Sequence, residues 1–108
     1  MKKTLILIAS SLVCFNLSLS AGDSDVKANW DRHCAKCHAE DGSASTKLGE
    51  RLEIMDYTKP ESLAKFSDKE LFDMTKDGVE KTKMRGYGSK LSDEEIHDLV
   101  AYMRAMSE

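Results

Sequence analysis

Features that would point to several common classes of protein are scarce in this 108-residue sequence. After the first 21 residues, no apolar run approaches the roughly 20 residues that a membrane-spanning helix needs. Basic residues number 16 against 19 acidic ones, a balance that argues against nucleic-acid binding, which needs clustered Lys and Arg. No stretch alternates apolar and polar residues long enough to predict a strand, and there is no internal repeat or low-complexity linker. We therefore expect one small all-α domain.

The first 21 residues have the layout of a secretory signal peptide. Two lysines precede an apolar stretch over residues 5–15, and small residues follow it, among them Ser20 and Ala21. We predict cleavage after one of these two, which gives a signal peptide, 1–21, and a mature domain, 22–108. An uncleaved anchor is the alternative, but the apolar run is short and interrupted by polar residues. The mature protein is expected to be soluble and periplasmic, without a membrane span.

Cysteine is also scarce. Of three cysteines, Cys14 lies in the predicted signal peptide, which leaves Cys34 and Cys37. An exported domain of fewer than about 90 residues usually needs a covalent or metal reinforcement. A disulfide between two cysteines so close in sequence would close too small a loop to supply it. We therefore expect the residues around the two cysteines to provide this reinforcement by other chemistry.

Residues 34–38 read Cys-Ala-Lys-Cys-His, the attachment signal for c-type haem. Two thiols one helical turn apart lie on the same side of the backbone, so each can form a thioether with a vinyl group on one porphyrin edge. His38 follows directly, where an imidazole nitrogen can coordinate the iron. The sequence therefore predicts one haem c, attached through Cys34 and Cys37 and ligated by His38.

Other chemistries also use closely spaced cysteines. A thioredoxin-like dithiol would follow a buried strand, and no such strand precedes Asp31. A structural zinc site needs four ligands, and beyond the motif only His33 or His97 could contribute. A disulfide across the helix end is the remaining alternative. Predicted export, small size and helical context favour haem.

The sixth position on the iron decides the function. Met84 is the best candidate, because it lies in a glycine-containing loop between His38 and the last helix. A thioether is a soft, neutral ligand that raises the reduction potential. Met55, in the first loop, is the competing candidate. Apolar packing is expected for the remaining methionines on helices, Met74, Met103 and Met106, and solvent exposure is expected for His33 and His97.

Capping signals and apolar spacing predict four helices. They extend from residue 23 or 24 to about 36, from 58 or 60 to 66, from Ser67 to Gly78 and from Ser92 through Met106. The intervening residues, 39–57 and 78–91, are predicted to form surface loops.

With these motifs the sequence resembles the small class I cytochromes c, the soluble single-haem electron carriers of the bacterial periplasm and related compartments. The likeness rests on residues 30–42, on Lys47-Leu48-Gly49, on Met84 in its glycine loop and on residues 91–104. The resemblance implies a cytochrome c fold. Its N- and C-terminal helices would cross, with Trp30 near Tyr102, and shorter helices and loops would surround one covalently bound haem.

The sequence departs from this family at two places. Relatives commonly have a proline soon after Leu-Gly, whose carbonyl accepts a hydrogen bond from the axial histidine, but here Glu50 follows. We expect another carbonyl near Leu48 or Gly49 to orient the histidine. Relatives also often have proline after the axial methionine, where this chain has Arg85. The resemblance suggests haem-propionate partners near that position, Lys83, Arg85 or Tyr87.

The expected function is one-electron transfer, without enzymatic activity. Iron held by His38 and Met84 would stay six-coordinate, and redox proteins would dock at the exposed haem edge of a monomer. Since the chain is acidic, a partner with a basic docking patch is expected. The alternatives are a haem enzyme or gas sensor with an open or displaceable sixth site, and the cytochrome subunit of a larger oxidoreductase.

Overall fold

The computed structural model describes residues 21–108, and the predicted signal peptide lies outside these residues except for Ala21. Within them the chain forms six helices and no strand, which confirms the all-α class. They are α1 (Ala21–His33), α2 (Ala35–His38), α3 (Lys47–Arg51), α4 (Pro60–Ala64), α5 (Asp68–Asp77) and α6 (Asp93–Ala105). In this part of the chain no helix is long and apolar enough to cross a bilayer.

The two predicted capping boxes are both formed. At the start of α5 the Ser67 hydroxyl accepts from the Glu70 amide at 3.0 Å, and the Glu70 carboxylate accepts from the Ser67 amide at 2.8 Å. Ser92 and Glu95 make the same reciprocal pair at the start of α6. These bonds satisfy amide groups that have no partner within the helix, so they fix where both helices begin.

Two predictions about the N-terminal half were wrong. The single first helix is divided at Cys34 into α1 and α2, where φ of Cys34 is −117° and the Cys37 amide donates to the Cys34 carbonyl three residues back at 3.2 Å. The predicted loop over residues 39–57 contains the five-residue helix α3. Thr46 caps α3 by accepting from the Gly49 amide at 2.8 Å. A helix this short has no apolar periodicity, which is why the sequence pattern did not indicate it.

The core lies where α6 packs against α1 and α5. Trp30 of α1 and Ile96 and Leu99 of α6 are almost completely buried. Trp30 also meets Tyr102 at a ring-centroid distance of 5.7 Å and an interplanar angle of 51°. This tilted contact is the one that the resemblance implied, and aromatic pairs of this geometry add roughly 0.5–1.5 kcal/mol beyond their buried area.

Arg104 joins the end of α6 to the junction between α4 and α5. Its guanidinium donates to the Leu63 carbonyl at 3.2 Å, to the Phe66 carbonyl at 2.7 Å and to the Asp68 carboxylate at 2.6 Å. The planar group with its fork of donors reaches all three acceptors at once, which a lysine ammonium cannot do.

Replacing Arg104 with lysine should therefore lower the free energy of unfolding by about 1–2 kcal/mol, because charge-assisted bonds to backbone carbonyls are lost. Chemical denaturation of the purified protein measures it. Lys69→Ala is the control, since Lys69 is exposed and pairs only with Asp73, one turn away. It should change the value by less than about 0.5 kcal/mol. Equal effects from the two substitutions would contradict this role for Arg104.

Candidate functional site

A cavity of about 410 Å³ opens beside the helix that carries the cysteine motif. Its wall includes all four residues that the sequence predicts to hold a cofactor, Cys34, Cys37, His38 and Met84. Much of the remaining wall is apolar, including Leu52, Ile54, Phe66, Leu71 and Leu99. Its volume is within the usual range of sites for small organic molecules and cofactors, about 300–1,000 Å³. The structure thus brings the four predicted side chains to one largely apolar site.

The two cysteines on the wall are free thiols, so the disulfide considered from the sequence is not formed. Burial raises the pKa of the Cys34 thiol to about 12, which keeps it protonated. No group of three or more His, Cys, Asp or Glu side chains within residues 21–108 could hold a metal ion, so the zinc interpretation has no support there. Both sulfurs remain available for thioether bonds.

The imidazole of His38 lies among aromatic side chains. Its ring centroid is 5.1 Å from that of Tyr57, at an interplanar angle of 20°, and 5.7 Å from that of Trp30, at 44°. Burial lowers the pKa of His38, which favours the neutral form that binds metals. Its Nδ1 atom is buried and has no hydrogen-bond partner among the described residues. The carbonyl expected near Leu48 or Gly49 therefore does not orient this ring.

The loop after the motif is fastened to the last carbonyls of α2. The Thr46 hydroxyl donates to the Cys37 carbonyl at 2.8 Å while it accepts from the Gly49 amide. The Ala44 amide donates to the His38 carbonyl, also at 2.8 Å. A Cβ atom on Gly49 would lie 2.6 Å from the Cys37 oxygen and would also overlap the Ala44 oxygen. Only glycine therefore lets α3 approach the motif so closely.

A tight turn holds the backbone of Met84 at the cavity. Gly78 and Arg85 form an isolated antiparallel bridge, and the Val79 amide donates to the Met84 carbonyl at 3.0 Å. The Met84 amide donates to the Thr82 hydroxyl at 3.1 Å. These bonds define the path of the loop without the proline that often follows the axial methionine in relatives.

The other candidate ligands differ in their positions. Met55 lies on the cavity wall and is 39% exposed, so the structure places both methionine candidates at the site. Two methionines assigned to packing, Met74 and Met103, also reach the wall. His97 is exposed, as expected, and stacks on Phe72. His33 is partly exposed on the cavity wall, and its ring lies 5.4 Å from that of Tyr87.

The three candidate propionate partners also line the cavity. Lys83 and Arg85 are exposed there. The Tyr87 hydroxyl already donates to the His33 carbonyl at 3.1 Å. The two basic side chains are therefore better placed than Tyr87 to bind an anionic group.

Two features of the site were not identified from the sequence. Tyr57, which stacks on His38, was treated as part of a polar loop, although it is the only aromatic residue between positions 39 and 57. Thr46 joins the motif to α3. The sequence feature that could have indicated this role is a threonine, a residue type preferred as a helix N-cap, directly before a short polar segment. In both cases the residue type could have drawn attention to the position. The partner of each residue, His38 or Cys37, lies outside the local sequence, so the contact itself could not be predicted.

Comparison with known proteins identifies the family. The family described as cytochrome c oxidase, cbb3-type, subunit III, matches residues 21–103, which include the cysteine motif and Met84. The chain belongs to this family of class I c-type cytochromes. No curated protein matches the sequence.

Solved structures agree with this assignment. The cytochrome is similar to the KustC0563 c-type cytochrome, with 30% identity and a TM-score of 0.68 over 76% of this chain and 96% of that one. It is also similar to a mutant of Kustc0563 in which a tyrosine is replaced by phenylalanine, with 32% identity and the same TM-score over 76% and 98% of the two chains. These findings confirm the predicted cytochrome c fold, and c-type cytochromes carry covalently bound haem c and transfer electrons.

The close approach of Gly49 to the motif generates a prediction. Gly49→Ala should lower the free energy of unfolding of this cytochrome by about 1–3 kcal/mol, because the new methyl group overlaps two backbone oxygens. It should also reduce the yield of haem-loaded protein, measured as Soret absorbance per mass of polypeptide. Glu50→Ala is the control, since Glu50 is the exposed neighbour in α3. Equal stability and haem content in both variants would contradict the proposed fit.

Proposed function

We propose that this cytochrome is a soluble, periplasmic one-electron carrier. It holds one haem c through Cys34 and Cys37, and His38 and Met84 are the axial ligands. The observation that carries the proposal is the position of these four side chains on the wall of one largely apolar cavity. The donor types fit the group: two free thiols for thioether bonds, a neutral imidazole and a thioether for iron.

Each of these residues has a separate task. When bound, the haem supplies an iron that changes between Fe(III) and Fe(II). Cys34 and Cys37 fix the group to the chain, and His38 offers a nitrogen lone pair from a ring held by packing. Met84 offers a soft, neutral sulfur, which favours Fe(II) and raises the potential. The apolar wall excludes water and lowers the local dielectric, which also affects the potential.

Two axial side chains support electron transfer over catalysis, because they leave no open position for a substrate. Redox proteins are expected to dock at the haem edge of a monomer, through a basic patch that suits an acidic chain. A second candidate function is that of the cytochrome subunit of a larger oxidoreductase. It is favoured by the description of the matching family, which names an oxidase subunit. Size-exclusion chromatography of a native extract separates the two, since a free carrier elutes at the size of the monomer.

The covalent attachment is tested by intact-mass analysis of the exported protein. We expect the mass of residues 22–108, or of a product one residue longer, plus one haem. Cys37→Ser should weaken the attachment by leaving a single thioether. A mass that corresponds to the bare polypeptide would disprove the proposed cofactor attachment.

The sixth ligand is tested by replacing each methionine candidate. Met84→Ala should remove the weak long-wavelength charge-transfer band of a thioether–Fe(III) bond and allow prompt carbon monoxide binding to the reduced protein. It should also shift the Fe(III)/Fe(II) equilibrium at least tenfold towards Fe(III), about 59 mV in potential. Met55→Ala is the matched control and should leave all three properties unchanged. The opposite pattern would assign the ligand to Met55.

A further inference from the structure

The buried Nδ1 atom of His38 has no hydrogen-bond partner among the described residues. A histidine that binds a metal almost always donates its second ring N–H to a carboxylate, a carbonyl or water, and this bond fixes the plane of the ring. A buried polar atom without a partner is uncommon in folded proteins and needs an explanation. In this site, the orientation of the imidazole must come from something other than a hydrogen bond.

The two carbonyls that were expected to orient His38 each accept a hydrogen bond from the backbone of α3 or its C-terminal turn. The Leu48 carbonyl accepts from the Leu52 amide at 2.9 Å, and the Gly49 carbonyl accepts from the Ile54 amide at 3.0 Å. Glu50 stands where relatives commonly have proline, and here the chain continues as helix α3. The carbonyls before it therefore take part in backbone hydrogen bonds of the helix and its C-terminal turn. Both carbonyls thus bond to backbone amides, and neither accepts a hydrogen bond from Nδ1 of His38.

Two aromatic rings contact the imidazole instead. Tyr57 is nearly parallel to it, with centroids 5.1 Å apart and 20° between the planes. Trp30 is tilted by 44° at 5.7 Å. Both distances lie in the range of favourable aromatic contacts, about 4.5–7 Å. The parallel ring of Tyr57 restricts rotation of the imidazole most directly, because a turn of the histidine would bring its edge into the phenol face.

These two rings are themselves fixed. The Trp30 indole donates to the Ala39 carbonyl at 2.9 Å and is 1% exposed. The Tyr57 amide donates to the Gly42 carbonyl at 2.7 Å. Gly42 has a φ of +81°, and a Cβ atom there would lie 3.2 Å from the Tyr57 Cβ. The absence of a side chain at Gly42 therefore allows the backbone to adopt this φ and Tyr57 to pack closely against it. Tyr57 therefore has a defined position against His38.

We propose that Tyr57 is a positioning residue for the axial histidine, and that its ring, with that of Trp30, takes the orienting role which a hydrogen bond from Nδ1 has in other metal-binding histidines. This inference rests on the proposed ligation by His38. An imidazole without a hydrogen bond at its second nitrogen is a weaker donor than one with such a bond. The packing of Tyr57 thus has two effects. It holds the imidazole in one plane, and because it takes the place of a hydrogen bond at Nδ1 it leaves the ring a weaker donor, which favours Fe(II).

The test compares three variants of the haem-loaded protein. Tyr57→Leu removes the aromatic face, Tyr57→Phe keeps it without the hydroxyl, and Tyr102→Leu removes the tyrosine that packs on Trp30 outside the cavity wall. Two properties are measured: the reduction potential, and the NMR shifts of the haem methyl groups in the oxidised protein. Those shifts depend on the plane of the axial imidazole.

Tyr57→Leu should let the ring turn and let water reach Nδ1. We expect an altered pattern of methyl shifts and an equilibrium at least tenfold further towards Fe(III), about 59 mV lower in potential. Tyr57→Phe should keep the values of the unsubstituted protein. Tyr102→Leu should lower the stability but leave both properties unchanged. If the leucine variant yields no haem-loaded protein, Tyr57→Met, which fills more of the space, takes its place.

Unchanged potential and methyl shifts in Tyr57→Leu would overturn the inference. A phenylalanine variant that behaves like the leucine variant would do the same, because the hydroxyl would then be the active group. A crystal structure of the unsubstituted protein that shows a hydrogen-bond acceptor within about 3.2 Å of Nδ1 of His38 would also overturn the inference. An unsubstituted protein without bound haem, or without a histidine-ligated spectrum, would instead disprove the proposed function. The two failures are therefore distinct.

Discussion

The hydroxyl of Thr46 makes two hydrogen bonds on which the geometry of the site depends. It donates to the carbonyl of Cys37 and accepts from the amide of Gly49, so it joins the end of the cysteine motif to the start of α3. The nearby bond from Ala44 to the His38 carbonyl closes the intervening loop. These bonds hold the carbonyl groups of Cys37 and His38 against α3 and the loop that precedes it.

Trp30 links this site to the rest of the fold. It is buried where α1 meets α6, it contacts Tyr102 there, and it also contacts the ring of His38. In so small a domain the cavity occupies space that a core would fill in a larger protein, and Leu99 of α6 contributes to both. Packing between helices and shaping of the site are therefore done by the same side chains. A bound haem would add apolar contact area that this chain lacks by itself.

Much of this arrangement could be predicted from sequence because its signals are local. The cysteine motif, the capping boxes at Ser67 and Ser92 and the apolar stripe of α6 each depend on residues within a few turns of one another. The helix α3 and the contact between Tyr57 and His38 could not be predicted in this way. The helix is too short for periodicity, and the contact joins residues 19 positions apart through a loop whose path depends on Gly42.

The charges around the cavity bear on how the site distinguishes the two oxidation states. Its proposed axial donors, His38 and Met84, are both neutral, and the described wall holds one carboxylate, Glu53, against the basic Lys83 and Arg85. Burial raises the pKa of Tyr57 to about 12, so this phenol adds no negative charge. A site with neutral donors and few anions stabilises the less positive iron. The unpartnered nitrogen of His38 acts in the same direction, since no acceptor increases the electron density of the ring. With His38 and Met84 as the proposed ligands, geometry and electrostatics would therefore both favour Fe(II), and the exposed Lys83 and Arg85 would lie where they could balance the cofactor's carboxylates.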